Sequence, residues 1–156
     1  MFLHSLYTFI LSASPVVELR GAIPLGIVVY SLPVWLVLIL ALIGNIIPPL
    51  FLIPIISKLE GFLERHFPFW QRVFVRLLKR TRDNHEKKFE YLKEFALVVL
   101  VAIPLPLTGA WTASLAAYIF GIPYKKAIPL IFLGLVIAGV IVTLVTVGVV
   151  DVFFLN

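Results

Sequence analysis

The sequence predicts an all-α integral membrane protein made of two inverted repeats, each a re-entrant helical hairpin followed by a spanning helix, with a basic amphipathic cytoplasmic segment between them. Three observations lead there. The chain of 156 residues is 62% hydrophobic and only 13% charged, against about 45–50% and about 25% in a soluble domain, so its polar surface would not cover a water-soluble fold. Sixteen of its charged residues fall within positions 58–94, which leaves long charge-free runs on either side. Prolines and glycines cluster at two places inside those runs. A disulfide scaffold is excluded because the chain has no cysteine, and disorder is excluded by its apolar and aromatic content.

The first element, residues 1–31, is interrupted at Ser14 and Pro15 and again at Gly21, Pro24 and Gly26. Proline lacks a donor and clashes with the preceding turn, so a helix is expected to stop or kink at such a cluster. Arms of 12–14 residues reach about 20 Å, short of the roughly 30 Å of hydrocarbon, so the segment is expected to dip in and return, the alternative for it and for the second broken segment being a single kinked, tilted spanning helix. Residues 33–57 are long and apolar enough to span. Residues 58–94 hold Leu59, Phe62, Leu63, Phe67, Trp70 and Val73 at helical spacing, with Arg72, Arg76, Lys79 and Arg80 between such positions, a pattern suited to lying on an anionic leaflet. Asp83 and Glu86 resemble a capping box that restarts a helix. Residues 95–122 form the second hairpin, broken at Pro104, Pro106, Thr108 and Gly109, and residues 127–150 form the second span. The whole chain, 1–156, reads as a single membrane domain.

The halves repeat one another, 1–57 and 95–156. Gly21-Ala22 after the first break matches Gly109-Ala110 at the second, Pro33 matches Pro123 at the start of each span, and Gly44 and Gly134 follow those prolines at the same distance. Each unit crosses an odd number of times, so the second is expected to be inverted relative to the first. Basic loops stay in the cytoplasm. Ten basic residues lie in 58–94 and two more at Lys125 and Lys126, so both regions are expected inside and both termini outside.

Glu18 and Arg20 stand apart from this charge pattern. Each lies in an apolar stretch where a charge at the bilayer centre costs about 2.5–3.5 kcal/mol on insertion scales, so the pair is expected to be partnered, wet or useful. On a helix two such residues point to nearly opposite faces, whereas an extended segment between Pro15 and Pro24 would let both line one polar cavity. Broken helices whose ends meet at membrane depth commonly form substrate and ion sites.

The run ELRGAIPLG at residues 18–26 and the run PLPLTGAW at 104–111 resemble the two motifs of the small multi-drug export protein family, and the resemblance extends over nearly the whole chain. More distantly, two inverted re-entrant hairpins resemble the DedA/VTT superfamily, which the likeness links to lipid translocation and proton-dependent transport. An acidic residue and an arginine in the hairpins are part of that pattern, and only Glu18 and Arg20 fill those roles here. The resemblance implies a membrane transporter, read as a proton-coupled exporter of small molecules: Glu18 takes up and releases the proton and Arg20 holds an anionic group. Thr108, Thr112 and Ser114 add hydroxyls from the opposing hairpin, Trp111 an aromatic wall and Asn45 a polar group from the first span. The alternatives are a lipid flippase or scramblase with Arg20 on the lipid phosphate, and a membrane assembly or scaffold protein.

An enzyme is not expected, because no nucleophile–base arrangement or phosphate-binding loop is present. The histidines His4, His66 and His85 lack metal-ligand spacing, so neither metal nor cofactor is expected. The basic charge is juxtamembrane and does not point to nucleic acid. Expected partners are the lipid bilayer and a small-molecule or lipid substrate. So short a chain offers few helices to shield two hairpins, so a homo-oligomer, most simply a dimer, is expected, with Gly44, Gly134 and Gly139 allowing close helix approach.

Overall fold

A computed structural model describes residues 1–66, 87–104 and 109–154, and among them every regular element is helical. Helix α1 (Phe2–Ala13) is followed by a turn, then α2 (Glu18–Pro24), which passes into a π-helical turn at Leu25–Val29. The long α3 (Val34–His66) comes next, followed by α4 (Lys87–Ala102), α5 (Ala110–Ile119) and the long α6 (Tyr124–Phe154). Two stretches, Val34–Lys58 in α3 and Tyr124–Val152 in α6, are long and apolar enough to cross a membrane. Arg72, Arg76, Lys79, Arg80, Pro106 and Thr108, and the capping box at Asp83 and Glu86, lie outside the described residues.

The first break is narrower than the sequence suggests. It is confined to Ser14–Val17, where the Ser14 hydroxyl donates to the Leu11 carbonyl at 2.7 Å and accepts from the Val17 N–H at 3.2 Å. Gly21 and Pro24 sit inside α2 and Gly26 inside the π turn, so none of the three interrupts the chain. Pro24 ends α2, and the helix widens immediately beyond it: the Tyr30 N–H reaches the Leu25 carbonyl at 3.0 Å, one residue further than in an α-helix. Gly26 leaves room for Val37 at the start of α3. His4 stacks on Tyr30 with ring centroids 4.9 Å apart, joining the open ends of the two arms.

Packing is alike in the two halves. Helix α1 lies against α2 and α3, and α4 lies against α5 and α6; α2 also meets α6, as α5 meets α3, and the two long helices pack on each other. The matched glycines do matched work. A Cβ at Gly44 would lie 2.5 Å from the Phe9 carbonyl oxygen of α1, and one at Gly134 would lie 2.6 Å from Val101 and 2.9 Å from the Val98 carbonyl oxygen of α4. Each glycine therefore lets a long helix seat the first arm of its own half. Gly139 in turn faces Leu38 and Leu42 of α3. All three close approaches expected to serve a contact between chains are taken up within one chain. The shared core is apolar, with Leu19, Ile23, Val37, Leu97, Ile131 and Leu135 almost fully buried.

Candidate substrate site at the crossing of two helix breaks

The two breaks meet. Glu18 opens α2 with φ of 52°, a left-handed conformation that an L-residue adopts at a cost of about 1–3 kcal/mol and keeps only where its surroundings hold it. They do hold it: the side chain is buried, and its carboxylate lies directly against the Cα of Gly109, in the space that any Cβ there would fill. The carboxylate accepts the backbone N–H of Trp111, in the first turn of α5. Four N–H groups at a helix start lack intrahelical partners and carry a partial positive charge, so this position suits an anion.

Further bonds fasten the crossing. The Arg20 guanidinium donates to the Ile103 carbonyl at 3.3 Å, one residue past α4. The indole N–H of Trp111 donates to the Ala13 carbonyl at 3.2 Å, the last residue of α1. Asn45, fully buried in α3, bridges the first break: with its amide oriented to suit its neighbours, the nitrogen donates to the Ser12 carbonyl at 3.3 Å and the oxygen accepts from the Leu19 N–H at 3.1 Å. The Ser12 hydroxyl donates to the Ala41 carbonyl of the same helix. Backbone groups freed where α1 stops and α2 starts thereby find partners without water.

Most residues singled out in the sequence converge here, in different roles. Glu18 and Arg20 do not share one extended cavity, because residues 18–24 are helical and two helical positions project to different sides. Trp111 is a hydrogen-bond donor between the halves. Thr112 closes the start of α5, its hydroxyl accepting from the Gly109 N–H at 2.9 Å and donating to the Gly109 carbonyl at 3.1 Å. The Ser114 hydroxyl bonds back to the Ala110 carbonyl one turn earlier. Pro15 lies in the first turn, and Pro104 just after α4.

Two grooves flank the crossing. One, of about 520 Å³, runs between α2 and the second half of α6; Arg20, Pro24 and Val28 face Val142 and Thr146, with Pro104 at the Arg20 end. The other, of about 490 Å³, lies between α3 and the end of α5; Ile53, Ser57 and Lys58 face Tyr118, Ile122 and Tyr124. The offset that carries Pro33 onto Pro123 also carries Val28 onto Tyr118. Sequence reasoning missed the groove walls, since Val142 and Thr146 differ in no local signal from the rest of an apolar helix.

Residues 18–141 match the family described as "Putative small multi-drug export protein". The chain belongs to this family. Neither a curated protein nor a solved structure matches it. The matched region opens on Glu18, directly after the first break, and contains Arg20, Gly109 and Trp111, so the contact between Glu18 and the start of α5 lies within the part of this small multi-drug export family member that the family covers. With two helices long enough to cross, the protein is a helical membrane protein of an export family, which is not a class of enzyme.

Proposed function

We propose that the protein is a proton-coupled exporter of small molecules, working at the point where two inverted re-entrant hairpins meet at mid-membrane. One observation carries the reading: a buried carboxylate from one half is seated on the helix start of the other, with Gly109 making the room. Asn45 holds the first break near the middle of the Val34–Lys58 span, and arms of about 18 Å from α1 and from α2 with its π turn reach that depth without crossing. Residues 58–94 and Lys125–Lys126 lie in the cytoplasm on this reading and both termini outside. The Arg20 groove then opens outward and the Lys58 groove opens to the cytoplasm.

Glu18 is the latch. Charged, it holds the Trp111 N–H through a charge-assisted bond of roughly twice the strength of a neutral one and complements the partial positive charge of α5. Protonated, it loses both advantages, and α5 is freed to shift against α2. Proton occupancy thereby biases how the two halves sit, which is the coupling that alternating access requires. Purified protein in liposomes with an imposed pH gradient should move a fluorescent drug panel at a rate that Glu18→Gln abolishes while the melting temperature changes little. Equal flux in wild type and Glu18→Gln overturns the latch. Gradient-independent reorientation of labelled lipid, with no drug movement, overturns export in favour of lipid scrambling.

A further inference from the structure

We infer that the groove between α3 and the end of α5 is a binding site for an anionic phospholipid, with Lys58 on the headgroup phosphate and an acyl chain running down the outer side of α3. The site is independent of the export reading and of the crossing of the two breaks. Its level in the molecule comes first. Lys58 is the last residue of the first stretch long and apolar enough to cross, Tyr124 is the first residue of the second, and both line this one groove. The two spans therefore end together on one side, and the groove lies where hydrocarbon gives way to headgroups. Tyrosine and lysine settle at that level, the ring in the interface and the ammonium among the phosphates.

Charge and hydrogen bonding then select the headgroup. Among the described residues no acidic side chain lines the groove, and Lys58, which is exposed, forms no ion pair with any of them. Glu94, which α4 brings to the start of α6, is matched by Lys126 at 2.8 Å, and Lys125, next in sequence to the groove-lining Tyr124, adds a second positive charge. Other donors in the groove are spent: the Ser57 hydroxyl donates to the Ile53 carbonyl at 3.0 Å, and the N–H groups of Gly121 and Ile122 go to the Tyr118 and Ala117 carbonyls. An ammonium headgroup meets like charge here, whereas a phosphate accepts from Lys58, which acts as a point charge. Basic pockets between membrane helices hold anionic headgroups in this way. The apolar surface decides for a lipid over a soluble anion. Ile55 and Phe51 precede Lys58 by three and seven residues, so they share its side of the helix, and they are 55% and 62% exposed. A chain descending from a phosphate at Lys58 meets a continuous apolar track, and the groove's volume of about 490 Å³ leaves room for the headgroup above it.

The test is native mass spectrometry of the full chain released from detergent, titrated with phosphatidylglycerol and with phosphatidylcholine of identical tails, which counts the lipids held per chain. One phosphatidylglycerol per chain is expected to bind at least tenfold tighter than phosphatidylcholine. Lys58→Gln should weaken it about fivefold, the loss of one surface cation, and Lys58→Arg should keep it. Ser57→Glu, also at an exposed position, places a negative charge in the groove and should abolish the preference. Glycerol phosphate, the headgroup without tails, should fail to displace the lipid at equal concentration; displacement mole for mole would assign the groove to a soluble anion and overturn the lipid. Replacing Arg72, Arg76, Lys79 and Arg80 together by Gln should leave the tight site in place. If the preference disappears in that variant yet survives in Lys58→Gln and Ser57→Glu, the lipid belongs to the basic segment and the groove assignment falls. Equal binding of the two lipids, or no saturable site, also overturns it. Flux plays no part in these readouts, so a failure of export in liposomes leaves the lipid site standing.

Discussion

The two helix breaks occupy corresponding places in the halves but are made of different materials. The first brings side chains: the carboxylate of Glu18, the guanidinium of Arg20, and the hydroxyls and amide of Ser12, Ser14 and Asn45. The second, among its described residues, answers mostly with backbone: the N–H of Trp111, the carbonyl of Ile103 and the bare Cα of Gly109. A second break without charge looks, in sequence, like a poorer version of the first. In the fold it is the complement, because unsatisfied N–H and C=O groups at helix ends are themselves oriented partial charges. Charge on one side and dipole on the other gives contacts between the halves without burying a second full ion pair, whose desolvation commonly exceeds its Coulombic gain.

The largest effect that would break this comparison comes from filling the space at Gly109. Gly109→Ala places a Cβ on the Glu18 carboxylate and should destabilise the protein by about 3 kcal/mol, whereas Gly21→Ala meets only a Val17 methyl group and should lose about half as much. Chemical or thermal unfolding in detergent reads both. If the carboxylate is the obstacle, Glu18→Ala combined with Gly109→Ala should be more stable than the sum of the single changes, by about 1–2 kcal/mol. Strict additivity would mean that Gly109 is needed for some other reason.

Asn45 and Leu135 follow the paired glycines Gly44 and Gly134 and test the asymmetry one step down. Asn45→Leu removes two hydrogen bonds at the first break and strands the groups they served, for an expected loss of about 2 kcal/mol. Leu135 is almost completely buried, and Leu135→Asn should be at least as harmful, because no freed backbone pair is described beside it. If Leu135→Asn proved neutral, the breaks would be more alike than their materials suggest. Trp111→Phe keeps the ring and loses only the bond to Ala13, about 1 kcal/mol. Smallest of all is Lys126→Ala at the exposed 2.8 Å pair with Glu94, where no measurable change in melting temperature is expected.

How far the sequence revealed this arrangement follows the same division. Charge-free runs delimit the two spans, and Glu18 and Arg20 are conspicuous because they interrupt one. Pro15 and Pro104 mark where the chain turns. What stayed hidden was anything carried by backbone or by context. Pro24 and Gly21 carry the same local signal as Pro15, yet both sit inside α2 and the helix persists into the π turn. Beside Arg20, the partner of Glu18 across the crossing is an N–H, a group common to every residue except proline, so no residue type announced it. Asn45 was legible as a polar residue in a span, but its task of rejoining α1 to α2 depends on a chain path that no local pattern encodes.

The wide separation of these partners along the chain bears on how the protein is made. Arg20 and Ile103 are 83 positions apart, and Ala13 and Trp111 are 98 apart. A ribosome delivers α1 and α2, with the carboxylate and guanidinium, well before the groups that receive them exist. On the mid-membrane placement proposed above, each charge carries a penalty of about 2.5–3.5 kcal/mol until then. Helices α1 and α2 are therefore expected to wait at the lipid surface or within the insertion machinery and to settle only when α4 and α5 arrive, so that nascent chains halted before position 103 stay accessible to protease in the region that full-length protein protects.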